Sequence, residues 1–122
     1  MYGKTYQKVI RFTTYAALER AKQNPINAKN WGKDARSTAV GWCFLPEDDW
    51  QRFGGTLKEA AANLSRDTGH QYEIAVFCTL EWCRPAIGYY GSIAEDSDES
   101  VPVLEYCTVD WSDVKNMHVV EL

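Results

Sequence analysis

The sequence lacks any long run of residues without charge. Its longest uncharged stretches are residues 37–46 and 85–94, ten residues each, whereas a membrane-spanning helix needs about 18 or more apolar residues. The first residues, MYGKTYQKVIRF, also lack the apolar segment that a secretory signal carries. We therefore expect neither a transmembrane helix nor a signal peptide. A cytoplasmic protein with no membrane partner is the corresponding expectation.

Histidine is scarce, and no catalytic or cofactor motif accompanies it. The two histidines are His70 and His118, and the one close cysteine pair is Cys78 with Cys83. Structural zinc sites usually bring their ligands in several closely spaced pairs, and a second pair is missing from this sequence. A glycine-rich phosphate-binding loop with its lysine is missing as well. These absences predict no metal, no cofactor and no catalytic residue.

The cysteines are few enough to be buried in one core. They are Cys43, Cys78, Cys83 and Cys107. Four cysteines allow two disulfides in three connectivities, but without a signal peptide we expect four free, structural thiols. The arginine that follows Cys83 would lower the pKa of that thiol, so Cys83 is the best candidate for a nucleophile. A small Cys-dependent enzyme is therefore a third functional class.

The length of 122 residues and the alternation of patterns predict one α+β domain over residues 1–122. Alternating apolar residues predict strands at 4–13, 38–45, 72–81, 86–93 and 101–110, with a short one at 117–122. Helical spacing and capping signals predict helices at 15–23 and 57–67, and a short one at 46–53. The expected architecture is two main helices packed on a mostly antiparallel sheet of about five to six strands, in the order β-α-β-α-β-β-β.

Charge is divided unevenly along the chain. Residues 1–46 carry eight basic and two acidic side chains, whereas residues 47–122 carry five basic and fifteen acidic ones, for a net charge of −4. Such asymmetry suggests an interaction surface, although a fold that interleaves the two halves would cancel much of it in space. Nucleic acid therefore stays open as a partner of the basic half.

Aromatic residues are abundant for a small core, with five Trp and seven Tyr. Trp and Tyr supply many of the anchoring contacts in interfaces. We predict three binding segments: a basic loop at 24–37, two consecutive tyrosines, and an acidic loop. Their residues are Lys29, Trp31, Lys33 and Arg36, then Tyr89 and Tyr90, then Glu95, Asp96, Asp98 and Glu99.

Together these features predict a small non-enzymatic binding protein that occludes a macromolecular partner. Compact, acidic, aromatic-rich chains without a catalytic motif are typical of inhibitors, immunity proteins and accessory proteins, including those of phages and mobile elements. A protein is the expected partner, and self-association into a homo-oligomer stays open. The alternative is a nucleic-acid or nucleotide-binding module that uses the basic half.

Overall fold

The computed structural model describes residues 6–23, 42–69, 71–91, 100–108 and 111–122. Within them the elements alternate much as the sequence predicts. They are β1 (Gln7–Thr13), α1 (Tyr15–Gln23), β2 (Trp42–Pro46), α2 (Leu57–Thr68), β3 (Ile74–Leu80), β4 (Arg84–Gly91), β5 (Ser100–Thr108) and β6 (Val114–Glu121). Two short 3₁₀ turns cover Asp49–Arg52 and Trp111–Asp113.

The described strands form one six-stranded antiparallel sheet, in the order β4-β5-β2-β1-β3-β6. The predicted α+β class, with helices on a mostly antiparallel sheet, is confirmed. Strands β4 and β5 pair along their whole length, from Arg84 opposite Cys107 to Gly91 opposite Ser100. This β4–β5 hairpin joins the rest of the sheet through β2.

Each face of the sheet has its own core, as the alternation along β3 predicts. Ala75 packs with Ala61 and Leu64 of α2 on one face. Ile74 and Val76, both fully buried, point the other way, where they pack with Leu18 of α1. Successive side chains on a strand point to opposite faces, so one β-strand supports both helices.

Helix α2 begins and ends at the residues that the sequence marks. The Thr56 hydroxyl accepts a hydrogen bond from the Glu59 backbone N–H at 3.1 Å, and the Glu59 carboxylate accepts one from the Gly55 N–H at 3.2 Å. These bonds satisfy donors that the first turn would otherwise leave unpaired. Gly69 ends the helix with φ of 74°, a left-handed conformation that glycine adopts without a Cβ clash.

Helix α1 begins at Thr14, whose hydroxyl accepts from the Ala17 N–H at 3.1 Å. Its first residue, Tyr15, makes two hydrogen bonds to the sheet region. Glu73, the residue before β3, accepts from its backbone N–H, and Glu121 of β6 accepts from its hydroxyl at 2.6 Å. The hydrogen bond to Glu121 raises the pKa of the Tyr15 phenol.

None of the helices in the described ranges has both the length and the apolar composition that a membrane span requires.

The predicted short helix at 46–53 is a 3₁₀ turn in the structure, from Asp49 to Arg52. Directly after it Phe53, only 3% exposed, packs into the core beneath α2. Gly54 follows, tight against the first turn of α2. The turn therefore ends where the chain is anchored against the next helix.

Candidate functional site

Eight of the ten predicted binding residues belong to two segments that flank β2 and β4 in the sequence. The basic segment and the acidic segment lie outside the described residues. The first contains Lys29, Trp31, Lys33 and Arg36, and the second contains Glu95, Asp96, Asp98 and Glu99. Tyr89 and Tyr90 do lie on a described strand, β4, where they are paired with Pro102 and Val101 of β5. Among the predicted binding residues, Tyr89 and Tyr90 of the β4–β5 hairpin are therefore the ones whose strand is described.

One face of this hairpin carries exposed apolar side chains. Ile87 is 56% exposed, and its cross-strand partner Leu104 is 37% exposed. Pro85, two residues before Ile87, and Pro102, two residues before Leu104, are exposed on the same face. We call these four residues the hairpin patch. A contiguous group of exposed apolar residues on one face is typical of an interaction site, whereas scattered ones are ordinary.

The hairpin patch lies beside an edge of the sheet. Strand β4 ends the described strand order, so the outer side of its backbone has no neighbouring strand there. Apart from Arg84, β4 contains no charged residue. Edge strands usually carry charge, a bulge or a cover that prevents pairing with another chain. Pro85 removes one donor, but the stretch from Ala86 to Gly91 has no side-chain charge to oppose an added strand.

The opposite face of the hairpin carries one carboxylate, Glu105, beside Val103, which is fully buried in the core under α2. The Glu105 side chain reaches over Gly88, where its carboxylate occupies the space that a Cβ at Gly88 would fill. Glu105 stands directly opposite Ala86 in the ladder. A strand added to β4 would therefore meet apolar side chains on one face and a carboxylate on the other.

The other edge of the sheet, strand β6, is built differently. Its pairing with β3 shifts between Phe77 and Thr79, and Asn116 has φ of 53° at this bulge. Asn tolerates the left-handed conformation better than most residues. Lys115, Asn116 and His118 are exposed along this edge. A bulge and a lysine are two of the common means of preventing edge pairing.

Two of the cysteines form a disulfide, so the expectation of four free thiols is wrong. Cys43 on β2 and Cys107 on β5 stand directly opposite each other, with a Cα–Cα distance of 4.1 Å, and are covalently joined. The sequence separation of 64 residues conceals this pairing, because it depends on β2 and β5 becoming neighbours.

The remaining two cysteines are both buried. Cys78 on β3 is 5% exposed, and burial raises the pKa of its thiol to about 12. Cys83 is fully buried, packed in one cluster with Phe44 and Tyr106. The thiolate is the nucleophilic form, and burial in apolar surroundings suppresses it. The structure gives the third functional class, a Cys-dependent enzyme, no support.

Thiol counting checks the disulfide directly. Protein purified without reductant and then denatured should react with two equivalents of a thiol reagent, at Cys78 and Cys83, and with four equivalents after reduction. Mass mapping should locate the additional pair at Cys43 and Cys107. Four equivalents before reduction would contradict the disulfide.

The basic half of the sequence does not translate simply into a basic surface. The Arg11 guanidinium lies over the Trp42 ring, 4.5 Å from its centroid, and donates a 2.7 Å hydrogen bond to the Cys43 carbonyl. Lys22 forms a 3.3 Å ion pair with Glu19. Arg11 therefore contacts residues within the fold, and the negative charge of Glu19 offsets the positive charge of Lys22.

An open groove of about 460 Å³ lies on the α2 face of the sheet, beside the β6 edge. Lys8, Thr79 and His118 contribute polar groups, and Phe77 forms part of its apolar lining. The Phe77 and His118 rings stand 6.5 Å apart. Within the part of the chain that the structure describes, no cluster of three or more His, Cys, Asp or Glu side chains is arranged to hold a metal ion.

Comparison of the chain with protein-family models, with curated proteins and with solved structures finds no match in any of the three. The functional argument therefore depends on the chain's own residues. The sequence does contain one signal for the hairpin patch, the uncharged run at residues 85–94, which includes most of β4. Alternation alone could not reveal that this strand ends the described sheet.

Proposed function

We propose that this chain is a non-enzymatic binding protein that captures an extended segment of a partner protein along β4. The observation that carries the proposal is the contrast between the two edges of the described sheet. Strand β6 is bulged and carries charged residues. Strand β4 has no charged residue after Arg84, and its exposed Ile87 stands beside exposed Leu104 of β5. Evolution protects edges that must not pair, so an unprotected edge beside an apolar patch suits strand addition.

The chemistry of the two hairpin faces defines the expected partner segment. Backbone hydrogen bonds to β4 would supply affinity, and alternate side chains would supply specificity. Apolar side chains of the added strand would cover Ile87 and Leu104. On the other face, a lysine or arginine would complement the Glu105 carboxylate beside Gly88. The expected ligand is therefore an extended segment that alternates apolar and basic residues. We propose that the complex forms in the cytoplasm.

Matched substitutions on the two edges test this proposal. Ile87→Lys places a charge on the hairpin patch, and Met117→Lys places one on β6, where Met117 is 37% exposed. Exposed sites tolerate such changes within about 0.5 kcal/mol, so both variants should fold normally. Because loss of a central anchor typically costs about 2 kcal/mol or more, Ile87→Lys should weaken partner capture from host lysate by about 30-fold. Met117→Lys should leave capture unchanged.

Site-specific cross-linking identifies what occupies the edge. A photoreactive residue at Ala86, which is exposed on β4, should label a second protein, whereas the same group at Met117 should not. Mass mapping of the adduct should locate an extended apolar and basic segment. Equal labelling from both positions, or labelling of a second copy of this chain alone, would overturn the proposal.

A further inference from the structure

The Cys43–Cys107 disulfide joins the β4–β5 hairpin to the rest of the sheet. In the described residues, β2 pairs with β5 at three positions: Trp42 with Thr108, Cys43 with Cys107, and Phe44 with Tyr106. The disulfide is the middle one. By contrast, β4 and β5 pair at eight positions along the hairpin itself. The hairpin is therefore well formed internally, and in the described residues these three pairs, together with the buried side chains of Val103 and Tyr106, hold it to the rest of the fold.

The position of the disulfide suits reversible reduction. Cys43 is half-buried, so part of this residue contacts solvent, whereas Cys107 is buried. The backbone ladder holds the two residues opposite each other with Cα atoms 4.1 Å apart. After reduction the two thiols are neighbours whenever the ladder is formed, so reoxidation proceeds from the closed form of the hairpin. In a reducing compartment, disulfides of this kind are usually transient and sense redox state.

We propose that the Cys43–Cys107 disulfide is a redox switch for the β4 docking edge, holding the hairpin on β2 when oxidised and loosening it when reduced. A dithiol reductant supplies two electrons and two protons; the S–S bond breaks, Cys43 and Cys107 become thiols, and the reductant becomes a disulfide. A protein or small-molecule disulfide reverses the exchange. The link to docking rests on the proposed function, whereas the loosening of the hairpin does not.

Cys83 provides a built-in reporter of this loosening. It is fully buried in a cluster with Phe44 and Tyr106, which pair across the ladder from β2 to β5. The next residue, Arg84, is the register partner of Cys107. Separation of the hairpin from β2 would therefore expose Cys83. Cys78 belongs to the same cluster but lies on β3, which stays paired with β1 and β6, so its exposure should rise less than that of Cys83.

The test measures alkylation of the native full-length chain by a small maleimide, with mass mapping of each thiol. A disulfide that closes a long loop changes an opening equilibrium by roughly 100-fold. Reduction with dithiothreitol should therefore accelerate modification of Cys83 by about that factor. Modification of Cys78 should accelerate less than that of Cys83, since local opening of the hairpin leaves β3 paired. Urea denaturation of the oxidised and reduced chains measures the change in global stability and serves as the control. The double variant Cys43→Ser, Cys107→Ser should reproduce the reduced state without reductant.

Different results would overturn different parts of the proposal. An unchanged Cys83 rate, or a Cys83 acceleration no larger than the change in global unfolding, would reject local release of the hairpin. If Cys83 responds as expected but the double serine variant still cross-links its partner through Ala86 as efficiently as the oxidised protein does, the switch does not control docking. Failure of the oxidised protein itself to label any partner would reject the proposed function and leave the release of the hairpin standing.

Discussion

Replacing Gly54 with alanine should lower the free energy of unfolding by about 3 kcal/mol. A Cβ at this position would stand 2.5 Å from the Ala60 backbone nitrogen and 2.8 Å from the Glu59 carbonyl carbon. Both atoms belong to the backbone of the first turn of α2, so no flexible side chain can move aside. Either the helix or the preceding turn must shift, and Phe53 holds that turn in the core.

The neighbouring glycine is a matched control for this substitution. A Cβ at Gly55 would meet only the Glu59 carboxylate oxygen, at 3.4 Å, and Gly55 is exposed. Gly55→Ala should therefore change stability by less than about 1 kcal/mol. Urea denaturation of the two variants measures the difference, and thermal unfolding should place Gly54→Ala roughly 12 °C below the parent chain. Equal unfolding midpoints for the two variants would show that a Cβ at Gly54 does not destabilise the fold, which would contradict this prediction.

Truncation of Phe44 to alanine should cost about 4 kcal/mol. Phe44 is 1% exposed and belongs to the buried cluster that spans β1, β2, β3 and β5. Its ring centroid lies 6.0 Å from that of Trp42, in a tilted arrangement. Removing the ring leaves a cavity that the fixed strand backbones cannot close, so the cavity adds to the lost burial of apolar surface.

Ile87→Ala is the natural comparison for Phe44→Ala. Both changes remove a large apolar side chain from a strand, but Ile87 is 56% exposed. Its truncation should alter the free energy of unfolding by about 0.5 kcal/mol or less. Chemical denaturation with an unchanged m-value would establish that both variants unfold in the same two-state manner. If Ile87→Ala cost as much as Phe44→Ala, the hairpin patch would be part of the core and not a docking surface.

The elements most accurately predicted from sequence are those with local causes. Thr56 and Glu59 sit three residues apart before an apolar stripe, which is enough to place the start of α2, and Gly69 is enough to end it. The alternation from Ile74 to Leu80 likewise reveals β3 and its buried face. Capping bonds and side-chain periodicity involve residues a few positions apart, so the sequence displays them directly.

The features that sequence reasoning missed depend on which strands become neighbours. Nothing near Cys43 indicates that β2 will lie against β5, so the disulfide to Cys107 was not foreseen. The same long-range ordering places β4 at the end of the described sheet and makes Ile87 part of an exposed patch. Tyr90 lies on this edge strand, and its binding role, like that of Tyr89, stays a prediction. The binding roles of Trp31 and the acidic segment stay predictions.

The bulge at Asn116 has a consequence for how many chains one molecule can hold. A sheet with two open edges can add strands on both sides and grow without limit, as cross-β fibres do. Here the described sheet offers pairing at β4, while the shifted register and Lys115 obstruct it at β6. If β4 binds a strand as proposed, the described sheet is therefore expected to be monovalent towards extended chains. Whatever strand is added, even one from a second copy through a two-fold axis, completes the assembly instead of propagating it.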